Sequence, residues 1–200
     1  MQTPGPTPVF RPFEMERWQS TYENRVAFNL SESGVEPLTL RELVELAGDD
    51  DVAGTVLGYG QSNGSDELRA RIAALYGSTD DAGVVVCNGS AEANFLAMWQ
   101  LIEPGDEIAI LVPTYMQTHG IATAFGARVV EIPLHEEAGW QPDPQQLRDS
   151  IGPRTRAIVV TNPGNPTGAV LHDDARTAII EAAAASGAWI LADEVYTGAE

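Results

Sequence analysis

The sequence predicts an α/β fold: a three-layer sandwich around a mostly parallel sheet. Three observations predict it. From Gly58 onward, short apolar runs alternate with segments of helical apolar spacing. Strands separated by helices need right-handed crossovers, which lay helices on both faces of a parallel sheet. A hydrophobic content of 44% in 200 residues suffices for one substantial core, or for one domain and part of another.

The elements follow in order. Residues 13–22 read as a short amphipathic helix, and 29–37 as a turn-rich stretch. Within 39–47, Leu40, Leu43, Val44 and Ala47 recur at helical spacing. Ser65-Asp66-Glu67 opens a helix with the stripe Leu68, Ile72, Leu75, ended by Gly77. Residues 84–87 read as a short buried strand, with Cys87 as a small core residue. Asn88-Gly89-Ser90 turns into a helix over 91–102, which Pro104-Gly105 stops. Strands are predicted at 107–112, 128–132, 157–161 and 189–193. Helices are predicted around 119–125 and over 144–150 and 173–186. No internal repeat or low-complexity linker interrupts this order. The division expected is 1–58 as an N-terminal arm and substrate-side segment, and 59–200 as the main domain.

Composition narrows the function classes. The net charge of −18, with clusters such as 49–51 and His135-Glu136-Glu137, reads as a solvated acidic surface. It argues against nucleic acid and anionic membranes as partners. No apolar stretch approaches the ~20 residues that span a bilayer. The Pro-rich start, 1–13, lacks the pattern of a secretory signal. The single cysteine rules out an internal disulfide framework and fits a reducing cytoplasm. His119, His135 and His172 are not spaced as metal ligands and read as surface or capping residues.

Three segments fall at the carboxyl ends of predicted strands, where open α/β sheets bind ligands. Asn88-Gly89-Ser90-Ala91 opens a helix whose free N–H groups and dipole suit an anion. Taken alone, an ordinary turn with an N-cap serine explains it as well. Thr161-Asn162-Pro163-Gly164-Asn165-Pro166-Thr167-Gly168 predicts a rigid loop, compatible with a cis proline, that can aim the Asn165 amide. Asp193 ends an apolar strand, where a lone carboxylate is costly unless paired with a cation. Tyr196 follows three residues on.

Together with Gly58-Tyr59-Gly60 to Gly64 before Glu67-Leu68-Arg69, Glu103-Pro104-Gly105-Asp106-Glu107 and Pro113-Thr114-Tyr115, these motifs resemble the first half of a class I/II aminotransferase. That family comprises fold-type I enzymes of pyridoxal 5'-phosphate (PLP), related to aspartate aminotransferase, and the likeness runs from about Asn29 onward. The resemblance implies the PLP-dependent transferase large domain, with its C-terminal part missing. It implies that Gly89, Ser90 and Ala91 bind the phosphate and that Tyr115 stacks on the pyridine ring. Asn165 and Tyr196 would hydrogen-bond the ring hydroxyl oxygen, and Asp193 would pair with the ring nitrogen. Tyr59 would reach the phosphate of a neighbouring subunit, which implies a homodimer. Gly34 and Asn165 would lie on the substrate side, against an amino acid or a 2-oxo acid.

The departure from the pattern is as informative. All eleven basic residues are arginine, so the chain has no lysine. In the family the Schiff-base lysine and the arginine that clamps the substrate carboxylate follow the Asp-x-x-Tyr strand, beyond Glu200 in family order. The expectation is therefore a cofactor cradle without its reactive amine, part of a chain about twice as long and inactive alone. Transamination is the default chemistry. A β-eliminating lyase, a decarboxylase or a capreomycidine-synthase-like cyclase would use the same cradle, and residues 29–43 resemble that last group. A non-catalytic PLP-binding or dimerising protein is the reading from another class, and the absence of lysine supports it directly. A nucleotide-binding dehydrogenase is disfavoured because no G-x-G-x-x-G follows the first strand.

Overall fold

Four short runs line up as one parallel sheet in the computed structural model, which describes residues 12–48, 52–78 and 80–199. The Pro-rich start (1–11) and the acidic run 49–51 lie outside the described residues. The strands are β1 (Glu107–Val112), β2 (Arg128–Pro133), β3 (Thr155–Thr161) and β4 (Trp189–Asp193), in the spatial order β2-β1-β3-β4. Every neighbouring pair is parallel.

Period-two alternation sends successive residues to opposite faces. Ala109, Leu111, Ile158 and Val160 face one way, against Leu147 of α6 (Pro144–Ser150) and Ala175, Ile179, Ala182 and Ala183 of α7 (Asp173–Ser186). Ile108, Ile110, Ala157 and Val159 face the other, against Met98 of α4 (Ser90–Leu101) and Ile121 and Ala122 of α5 (Gln117–Ala124). Helix, sheet and helix are thus three layers with an apolar seam on each side of the sheet. Met98, Ile108, Ile110, Ile132, Leu147 and Ile158 are fully enclosed. At the amino end of the sheet, Glu107 is buried beneath Arg128, at 2.9 Å, and Arg154.

The chain divides into two compact units: Glu14–Val86, and Cys87 onward together with Phe13. The first holds α1 (Glu14–Tyr22), α2 (Leu40–Ala47), a 3-10 turn (Val52–Gly54) and α3 (Asp66–Leu75). Helix α2 starts at a full capping box. Thr39 Oγ1 accepts the Glu42 N–H at 3.2 Å, and the Glu42 carboxylate accepts the Thr39 N–H at 2.8 Å. Helix α3 starts at Ser65, whose Oγ accepts the Leu68 N–H at 3.3 Å.

Two expectations are corrected. Residues 84–87 form no strand. A strand exists by pairing, and no described strand lies alongside; the Val86 N–H donates to the Asn63 carbonyl at 3.0 Å instead. Val85 is exposed and Cys87 is half-buried rather than enclosed. In α3 the buried residue is Ala73, while Leu68 and Leu75 of the predicted stripe are exposed.

Candidate functional site

Because all strands run the same way, the residues after β1, β3 and β4 emerge on one edge of the sheet. Thr161 pairs in register with Asp193, and the Asn162 N–H donates to the Asp193 carbonyl at 2.9 Å. The Thr114 and Thr161 hydroxyls share a hydrogen bond of 2.9 Å, which ties the end of β1 to that of β3.

The loop after β3 is closed by its own groups. The Asn162 side-chain oxygen accepts the Leu171 N–H at 2.8 Å, and the Gly164 N–H donates to the Ala169 carbonyl at 2.9 Å. Both of its prolines follow cis peptide bonds. Asn165, held by this loop, donates from Nδ2 to the Tyr196 hydroxyl at 3.2 Å. Two residues singled out 31 positions apart in the sequence therefore touch.

Asp193 is 8% exposed. Its Oδ2 accepts from Asn94 Nδ2 at 2.8 Å and its Oδ1 from the Val195 N–H at 3.2 Å. Both donors are neutral, and among the described residues no ion pair reaches this carboxylate. The Val195 bond is a local turn, so Asp193 also caps the chain that follows it.

Helix α4 offers the complementary end. Its N-cap is Gly89, at φ 87°, and no side chain caps it; Ser90 is the first helical residue rather than the cap. The first-turn N–H groups have no acceptor within a helix, and the helix dipole adds partial positive charge there. A Cβ built on Gly89 would meet no atom within 4 Å, so the turn is open. The one acid of this turn, Glu92, folds back to accept the Asn88 N–H at 2.5 Å. Gly89, Ser90 and Ala91 are all exposed.

Of the remaining predicted residues, Tyr115 is half-buried, with its ring 5.1 Å from that of Phe13. Tyr59 and Gly34 belong to the other compact unit. Tyr59 is exposed there, and the Gly34 N–H donates to Glu32 Oε1 at 2.8 Å. His119 pairs with Glu131 at 3.2 Å, and His172 is the backbone N-cap of α7. Sequence reasoning missed Asn94 and Gln117. The available signal was a polar Asn94 on the same helical stripe as Met98, four residues on, and both are buried.

The fold is that of a transferase large domain, and comparison identifies the family. The family model "Aminotransferase class I and II" matches residues 27–200, and the chain belongs to this family. The chain is 35% identical over 187 residues to capreomycidine synthase of Streptomyces vinaceus, covering 92% of this chain and 48% of that protein. It is 38% identical over 157 residues to the probable N-succinyldiaminopimelate aminotransferase of Mycobacterium tuberculosis, covering 75% and 40%. A PLP-dependent aminotransferase from Streptococcus suis 89-1591 superposes with a TM-score of 0.86 at 36% identity, over 92% of this chain and 51% of the other. The chain thus spans about half the length, or less, of the relatives it matches.

Pyridoxal phosphate is the cofactor this family implies. The donor set fits it. An uncapped helix start with an open glycine suits the phosphate, and a buried carboxylate without a cation suits a protonated pyridine nitrogen.

Proposed function

We propose that this chain is the cofactor-holding part of a PLP-dependent aminotransferase that exchanges an amino group between an L-amino acid and a 2-oxo acid. The observation that carries the reading is Asp193. It is a buried acid at the carboxyl edge of the sheet with only amide donors around it, beside the Asn165–Tyr196 pair. Bound PLP supplies an electron sink for bond breaking at a substrate α-carbon. Gly89, Ser90 and Ala91 hold the phosphate through N–H groups, with the Ser90 hydroxyl as a further donor. Tyr115 covers the ring face. Asn165 and Tyr196 hold a proton at the ring hydroxyl oxygen, and Asp193 holds the proton on the ring nitrogen. Gly34 and Asn165 lie on the substrate side.

In this reading residues 1–58 serve as arm and substrate-side segment and 59–200 as the cofactor domain. Tyr59 serves the phosphate of a second copy, so the working protein is a cytoplasmic homodimer. With no lysine in the sequence, no side-chain amine is available to bind the cofactor's aldehyde, and the 200-residue chain binds PLP without turning over. A second reading has its own support. The match to capreomycidine synthase extends over 187 residues and 92% of this chain, against 157 residues and 75% for the aminotransferase relative. A cyclase would use the same cradle with a different substrate.

The test is titration of the chain with PLP, followed by tryptophan fluorescence and absorbance, before and after borohydride. Saturable quenching without covalent fixation is expected. Fixation of the cofactor to a side chain contradicts the inert-cradle part of the reading, and absence of saturable binding contradicts the cradle itself.

A further inference from the structure

We propose that Asn94 is a positioning residue: it aims the Asp193 carboxylate at the cofactor's ring nitrogen, and Gln117 couples it to the phosphate turn. This rests on the cofactor reading above. A carboxylate's terminal torsion is soft and roughly two-fold, so burial alone does not fix its plane. Here two donors fix it. Val195 N–H holds Oδ1 from the following turn, and Asn94 Nδ2 holds Oδ2 from the helical layer. Asn94 is 6% exposed and stands one helical turn beyond Ser90. The first residue of α5 completes the link. Gln117 Oε1 lies 3.5 Å from Asn94 Nδ2, and Gln117 Nε2 donates to the Ala91 carbonyl at 2.9 Å. One chain of amides thus runs from the phosphate turn to the ring-nitrogen acid.

The residue type matters. A lysine or arginine at position 94 would neutralise Asp193 and take the place of the ligand's cation. A leucine would leave Oδ2 buried without a donor, which is unfavourable. Asparagine donates a hydrogen bond and leaves the charge for the ligand.

The experiment measures, on the full chain by equilibrium dialysis, affinity for PLP and for its carbocyclic analogue, in which C–H replaces the ring nitrogen. Asn94→Leu is expected to weaken PLP roughly tenfold or more while changing the analogue less than about twofold, since only PLP uses the aimed carboxylate. The exchange Asn94→Asp with Asp193→Asn retains an amide and a carboxylate at the two buried positions but moves the acid onto the helix, and its melting temperature is expected to match wild type. In that variant the preference for PLP over the analogue is expected to vanish. Equal weakening of both ligands by Asn94→Leu, or no weakening of either, overturns the positioning role, as does an exchanged variant that keeps the preference. A wild-type chain that binds neither ligand overturns the cofactor reading and this inference with it. A wild-type preference that Asn94→Leu leaves intact overturns this inference alone.

Discussion

Glu107 is held between two guanidinium groups while shut away from water. The hydrogen bond from Arg128 lowers its pKa, burial opposes that, and Arg154 adds to the lowering; the net direction is downward. A carboxyl with a folded-state pKa below its unfolded value, about 4.3, contributes stability that is present above the unfolded value. That stability is lost as pH falls through the folded value. Acidification below about pH 4 is therefore expected to lower the melting temperature. Glu107→Gln is expected to be the less stable protein at neutral pH, with the gap to wild type closing in acid. Melting curves recorded from pH 7 to pH 3 check this, and two parallel pH profiles contradict it. At Gly64 the constraint is steric. Its φ is 97°, and an added Cβ would come within 2.3 Å of the Val86 side chain, so the glycine in this motif is required by packing.

At the scale of elements, caps set boundaries. Thr39→Ala is expected to cost about 1 kcal/mol, because the Glu42 N–H loses its acceptor and the Glu42 carboxylate loses its hydroxyl partner. Urea unfolding followed by circular dichroism checks it, and an unchanged midpoint contradicts it. Most elements were legible because their signals are local. Helices α6 and α7 and strands β1 and β4 lie where apolar spacing, caps and glycines put them. Residues 84–87 were not, because an apolar run does not say which strand will pair with it. The site shows the same division. Asn165, Asp193 and Tyr196 were legible as motifs, and Asn165 and Tyr196 do meet. Asn94 was not, since its partner lies 99 residues away and spacing carries no record of that distance.

At the scale of the whole molecule, the β4 edge of the sheet is unpaired among the described residues. Among the described residues β4 pairs only with β3, and its Trp189 and Ile190 are 59% and 39% exposed. An apolar, unpaired strand edge is a template for association. Light scattering is expected to show concentration-dependent self-association of this chain, reduced by Trp189→Lys. A monodisperse monomer at all concentrations contradicts this. The chain spans half or less of the length of the capreomycidine synthase and aminotransferase relatives.

The bond between Asn94 and Asp193 closes a loop of 99 residues. Closing a flexible loop of that length costs about 4 kcal/mol of chain entropy, so the contact has no reason to form before the sheet brings its ends together. On the proposed assignment, the phosphate turn is local and needs only its own helix, whereas the acid for the ring nitrogen is in place only once β4 has docked. On that assignment ligand affinity would be a clock for folding: a molecule that has the turn but not the docked strand would hold an anion without recognising the ring.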